Sequence, residues 1–311
     1  MYPNYPAAFS YRNGNSYQNL QLYLNQRFGF FDDRFYVTGG LMDYSTLTKS
    51  WNALTNSGFS VLDDSKLMWT SSALFKVRKN ISLYYSHSTN SSPVIANNNP
   101  LWRDGVQDEA GFKTEFFQQK LSFNAAWFQI SQTKVTVPNP ARQTDPTAPE
   151  QLVSDLSNNG LEFEVMGSLT ENLSAVANYS HLKMRDSLGR HIRGVADDNA
   201  SLLLNYRIAD GPCKGLSFTG GVIYNGRRAG DAPITFTPLG EIGKTSFFLE
   251  PQYVTTFSTN YRWNKWVSTR LNIDNLFNNE GYIAVAGGRV SGTGITTSTG
   301  INVRLTTTVS F

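Results

Sequence analysis

Charge is scarce in this chain. Asp, Glu, Lys and Arg make up 16% of its 311 residues, against about 25% in an average soluble domain. Mean hydropathy is nevertheless negative, so Ser, Thr, Asn, Gln, Gly and Tyr supply the polarity, a mixture suited to many strands and turns. One cysteine, Cys213 in the turn-like ADGPCKG (209–215), excludes an internal disulfide. No run of about 18 apolar residues exists, which excludes a transmembrane helix but not barrel strands, whose alternation averages out in a hydropathy window. A net charge of +3 is too weak to point to nucleic acid. His87, His181 and His191 lie far apart without metal-ligand spacing. The start, MYPNYPAAFSYRNGN, has neither a basic n-region nor an apolar h-region and is not a signal peptide. It reads as internal to a longer protein.

Catalytic constellations are also lacking. Ser187–His191 has no partner base, so the chain reads as a non-enzyme that needs no cofactor and no metal. The glycines of GGRVSGTG (287–294) follow no βαβ pattern and open no helix, so they read as an extracellular loop rather than a phosphate loop. The adjacent acids Asp197 and Asp198 fit a solvated strand start better than a calcium site.

Period-two alternation is what the chain does have. Ile301, Val303, Leu305, Val309 and Phe311 share one face of the last segment, and Asn302, Arg304, Thr306, Thr308 and Ser310 share the other. Leu161/Phe163/Val165, Ala200/Leu202/Leu204/Tyr206 and Val267/Leu271/Ile273 repeat the pattern. About thirteen strands of roughly 9 to 16 residues are expected, near 17–29, 33–47, 65–78, 81–91, 105–117, 120–135, 157–169, 172–185, 194–208, 215–229, 247–263, 266–277 and 297–311. Globular strands average about five or six residues, so an antiparallel transmembrane β-barrel is the expected fold class.

Tight turns at 30–33, 78–80, 117–120, 170–172 and 263–265, with 209–215 slightly longer, alternate with long polar segments at 48–64, 92–104, 136–156, 186–193, 230–246 and 278–296. Short periplasmic turns and long extracellular loops are the outer-membrane pattern. It places residues 1–16 outside as a loop tail and sends the last strand toward the periplasm. Aromatic residues such as Trp69, Tyr85, Trp127 and Tyr179 fall near strand ends, and Trp263 and Trp266 flank one turn, as interfacial rings do.

Several segments carry a resemblance. LNIDNLFNNEGY (271–282) is similar to the near-terminal motif of TonB-dependent receptors, with Asn275, Leu276, Phe277, Asn278 and Tyr282 filling it. YNGRRAGDAPITF (224–236), LEPQYVTTFSTNYRW (249–263), GFFDDRFYVTGGLMDYS (29–45) and AGFKTEFFQQKLSFNAAWFQI (110–130) resemble further elements of that family, in order, most like the siderophore-receptor branch. TSTGINVRL (297–305) departs from it by lacking a Pro-Arg element before the last strand. The resemblance implies a plugged barrel of about 22 strands, of which residues 1–311 form the C-terminal part, with about nine strands, the plug and the TonB box outside it. It implies uptake of a ferric siderophore or similar scarce ligand driven by TonB, in the outer membrane of a Gram-negative-type cell.

Ligand contacts are then expected from loops and the upper wall. Trp102, Arg103, Arg227 and Arg228 combine aromatic or strand-end positions with positive charge. The same arginines would also neutralise lipopolysaccharide phosphates or loop acids. Phe311 resembles the C-terminal signal read by the outer-membrane assembly machinery. A passive porin-like channel and a soluble adhesion or carbohydrate-binding sheet are the rival readings. Thirteen strands with two open edges would expose unpaired backbone to lipid, so an incompletely closed barrel without uptake of its own is expected.

Overall fold

The computed structural model describes residues 13–138, 147–149, 151–230, 245, 247–285 and 295–310. Alternating side chains on a backbone poor in helix formers give strands throughout, and no helix forms among the described residues. Thirteen strands build one antiparallel sheet: β1 (Asn13–Phe30), β2 (Phe35–Asn52), β3 (Ser57–Arg78), β4 (Ile81–Ala96), β5 (Asn99–Phe116), β6 (Leu121–Pro138), β7 (Gln151–Ser168), β8 (Leu173–Asp186), β9 (Asp198–Arg207) and β10 (Ser217–Asn225). Two short strands, β11 (Arg228–Ala229) and β12 (Phe248–Leu249), pair with each other before β13 (Gln252–Arg262) and β14 (Val267–Asp274) continue the sheet. A second small pair, β15 (Tyr282–Val285) with β16 (Ile295–Thr297), precedes β17 (Asn302–Val309). Each sheet strand lies beside its sequence neighbour, and β1 and β17 are the two edges.

The cross-strand register separates two faces. On one, Leu24 faces Leu41, Leu41 faces Trp69, and Leu271 faces Leu305. Leu24, Leu41, Trp69 and Leu305 are exposed and Leu271 is half-buried, and in a barrel they form the band that meets lipid. Across β5–β8 the band carries a row of rings, Phe112–Phe123 at 5.5 Å, Phe123–Phe163 at 6.5 Å and Phe163–Tyr179 at 6.3 Å. The opposite face holds Asn19, Thr46, Glu109, Glu162, Asn272 and Arg304, the polar wall of a lumen.

The tripeptide Tyr-Ser-His occurs twice on the face of the apolar band, and both copies make the same contact. Tyr85 Oη donates to Asp108 Oδ1 at 2.5 Å, with His87 Nδ1 2.8 Å from that oxygen. Four strands on, Tyr179 Oη donates to Asp198 Oδ1 at 2.8 Å, with His181 Nδ1 also at 2.8 Å. Two partners satisfy a carboxylate that the adjoining apolar band would otherwise leave unpaired.

Three expectations are corrected. The segments 48–64 and 92–104 are mostly strand: β2 and β3 are joined by residues 53–56, and β4 and β5 by Asn97–Asn98 alone. Both asparagines have positive φ, 48° and 62°, the requirement of a tight hairpin turn. Their polarity marks strand that stands clear of the membrane, since about 9–11 residues suffice to cross it while β3 has 22. Orientation therefore rests on where strands overshoot and on the longer connections 187–197, 226–251 and 275–301, not on loop length alone. Residues 13–16 belong to β1, because they find a full set of partners in β2. The rest of the expected tail, 1–12, lies outside the described residues, as do 231–244 and Phe311.

Candidate functional site: the extracellular mouth

Two clusters organise the ends of the strands that carry the longer connections. The first is the β4–β5 hairpin. The β3–β4 ladder stops at Thr70↔Ser88 although both strands run on. Past that point the hairpin leans over the inner wall of β2 and β3. Trp102, 5% exposed, sets its ring edge-on to Tyr44 at 5.5 Å and packs with Met68, Met42 and Leu62. Its Nε1 donates to Asp64 Oδ2 at 2.9 Å. Asn99 Oδ1 accepts from Ser60 at 3.0 Å, and Asn98 accepts from the buried Ser50 hydroxyl. On the other side, Asn97 and Gln151 exchange bonds of 2.7 and 2.9 Å. Asp104 lies among Ser91 at 2.7 Å, Lys66 at 3.5 Å and Lys134 at 3.6 Å. Partial burial pushes its pKa up, but the Ser91 hydroxyl and the two lysines outweigh this and hold it below the usual carboxylate range. Arg103 donates to Ser92 Oγ at 3.2 Å.

The second cluster gathers three connections: β8–β9, β10–β13 and β14–β17. Arg227 is exposed, with its guanidinium carbon 4.3 Å above the Phe248 ring. His191 meets the same ring edge-on at 5.7 Å. Arg228 points the other way and is 5% exposed. It donates to the Gly226 carbonyl at 3.4 Å and to the Tyr282 carbonyl. Burial lowers its pKa. No acid among the described residues pairs with it. Below, Arg185 grips Asp197 through two bonds of 3.0 and 2.8 Å, which holds the Asp197 carboxyl below its ordinary value. Arg190 Nε donates to Asp186 Oδ2 at 2.7 Å. The adjacent acids Asp197 and Asp198 are thus bound to different side chains, Arg185 and the Tyr179/His181 pair.

The Asn275–Tyr282 motif closes this cluster from β14. Asn275 has φ 52° and is 3% exposed. Its amide nitrogen donates to the Asn279 and Thr299 carbonyls, both at 3.0 Å, and its amide oxygen accepts from Asn279 N at 2.8 Å. Leu276 N donates to the Thr255 carbonyl at 2.9 Å, and Asn278 Oδ1 accepts from Ile301 N at 2.9 Å. Phe277 is exposed. Asparagine suits this hinge because it tolerates positive φ and its side chain imitates a turn.

Of the four residues singled out for ligand contact, the structure brings Arg228 to the Tyr282 carbonyl and sets Arg227 on the Phe248 ring. It places Trp102 and Arg103 on β5, not in a loop. His191, Phe248, Asp64 and Tyr44 were not legible as partners, since only tertiary pairing makes them neighbours. A concavity of about 520 Å³ on the lumen wall, lined by Tyr84, Glu109, Lys113, Glu162 and Glu164, was also missed. Two of its carboxylates alternate along β7, a signal present in Glu162-Phe163-Glu164, and Tyr84 Oη donates to Glu109 of β5 at 2.6 Å.

A long antiparallel sheet with an apolar outer band, a polar inner wall and its polar clusters at one end defines an outer-membrane β-barrel wall. The model of the TonB dependent receptor-like β-barrel matches residues 1–276, and the chain belongs to that family, whose members are transport receptors and not enzymes. An uncharacterised TonB-dependent receptor of Haemophilus influenzae is 30% identical over 72% of this chain and 70% of its own length. The ferrioxamine B receptor of Salmonella typhimurium is 26% identical over 53% of this chain and 24% of its own length. Among solved structures, the ferric-catecholate import receptor of E. coli K12 superposes with a TM-score of 0.76 at 17% identity, over 96% of this chain and 45% of the receptor. The ferripyoverdine receptor of Pseudomonas aeruginosa gives 0.77 at 19% identity, over 96% of this chain and 39% of the receptor. The chain thus spans less than half the length of the solved receptors it matches.

Proposed function

We propose that the chain forms the C-terminal part of the barrel wall of a receptor that takes up a ferric siderophore with energy from TonB. The observation that carries this reading is the Arg227–Phe248–His191 cluster, an exposed guanidinium on a half-buried ring beside a half-buried imidazole, at the mouth of a wall belonging to this family. A guanidinium on a ring beside an imidazole offers charge, a π-face and hydrogen-bond donors to an aromatic or anionic chelate. The siderophore-receptor names among the relatives support the same substrate class. In this proposal Arg227 touches ligand, Trp102 and Arg103 brace the β4–β5 hairpin, and Arg228 braces the loops. The exposed apolar band meets outer-membrane lipid, and Phe311, following the alternating β17, serves the assembly machinery.

Binding of ferric tris-catecholate and ferric tris-hydroxamate complexes to outer-membrane vesicles carrying the chain tests the reading, followed by quenching of tryptophan fluorescence. Saturable quenching that Arg227→Ala weakens about tenfold is expected. Steady ohmic conductance with no saturable binding would instead favour a passive channel.

A further inference from the structure

Arg228 is a buried cation whose only described side-chain partners are two carbonyls, and it sits where three extracellular connections cross. Its backbone pairs with Leu249 in β12 and bridges to Ala196, just before β9. The next residue, Ala229, is fully buried, and its carbonyl accepts from Gly194 N at 2.9 Å. The side chain then reaches Tyr282 at the start of β15, 54 positions along the chain. Backbone bonds therefore join the β8–β9 and β10–β13 connections. The guanidinium carries the tie on to β15, while the start of the β14–β17 connection is held separately to β13 by Leu276 N–Thr255 O and Asn279 Nδ2–Tyr253 O, both at 2.9 Å.

We infer that Arg228 is a positioning residue that locks the three connections into one unit and thereby holds Arg227 and Phe248 in place for ligand. The part that concerns ligand rests on the receptor reading above. A guanidinium suits the task because its planar fork serves two acceptors in different directions, which a lysine ammonium does less rigidly. The two neighbouring arginines divide the labour. Arg227, outside on the Phe248 face, meets the chelate, and Arg228, inside, fixes the frame. The arrangement also accounts for a buried charge with no described acid: an acid would hold it to one loop, whereas carbonyls of two separate segments let it bridge them.

The test compares Arg228→Met, Arg228→Lys and Arg227→Ala in the full chain, by hydrogen exchange and by binding of ferric tris-catecholate. Methionine matches the length and removes the donors while leaving the backbone bridges. Arg228→Met should speed exchange across 281–285 about tenfold, leave β5–β8 unchanged and weaken binding about tenfold. Arg228→Lys should recover most of both. Arg227→Ala should weaken binding with no change in exchange. Unchanged exchange at 281–285 in Arg228→Met overturns the tie. Faster exchange with undiminished binding overturns the positioning role. If the unmodified chain binds neither chelate, the receptor reading and the ligand half of the inference fall together, while the exchange arm still decides the tie.

Discussion

Trp102 and Asp64 come from strands that are not neighbours in the sheet, yet the indole Nε1 lies 2.9 Å from the carboxylate. The contact exists only because the β4–β5 hairpin leaves the wall and leans inward over β2 and β3. It converts a polar overhang into a fixed part of the mouth.

Replacing Trp102 with alanine removes the ring from its pocket against Tyr44 and Met68 and leaves Asp64 without its donor. Such large-to-small changes cost about 3–5 kcal/mol. Because the site lies at the hairpin, the loss should show as local opening, with exchange rising in residues 91–104 and little change in β7–β10. Trp102→Phe keeps most of the packing and loses one hydrogen bond, a cost of about 1–2 kcal/mol. Equal effects of the two variants would contradict the packing role.

Asn275→Ala removes three hydrogen bonds and puts a Cβ-bearing residue without a compensating side chain at φ 52°. At about 1 kcal/mol per bond and about 1 kcal/mol for the left-handed backbone, roughly 3–4 kcal/mol should be lost. Asn275→Gly spares the backbone term and should lie about 1 kcal/mol above alanine. Urea unfolding in detergent, read by tryptophan fluorescence, checks the order of the two.

Acid should loosen the β8–β9 connection. Arg185 holds the Asp197 carboxyl below its ordinary range, so the folded state binds a proton less readily than the unfolded chain. The stabilisation is present above the unfolded pKa, about 3.9, and is lost as pH falls through the lower folded value. Protease cleavage within 187–197 should therefore rise only in acid. In Asp197→Asn it should be raised already at neutral pH and respond far less to acid. An unchanged acid response in that variant would remove Asp197 from the explanation.

The sheet has free edges at β1 and β17. Each unpaired backbone group facing hydrocarbon costs several kcal/mol. Proteoliposomes holding this chain alone are expected to take up no ferric siderophore, and the chain should associate through its edges, visible as crosslinked multimers. Concentrative uptake by the chain by itself would overturn that expectation.

Much was set by the sequence alone. Alternation, strict from Ile301 to Leu305, leaves a strand only one way to satisfy an apolar and a polar environment, so the strands and their faces follow from composition along the chain. Turn chemistry did the same for the tight connections, and Asn275–Tyr282 identified its own loop. Tertiary structure decided which polar stretches were loops. The segments 48–64 and 92–104 carry loop-like composition, yet they extend as strand because paired backbone outside the membrane tolerates polar side chains. It decided that Trp102 is buried while Arg227 is exposed, and that Arg228 turns inward. Those outcomes depend on which segments cross in space, and local periodicity carries no record of contacts between residues 38 or 54 positions apart.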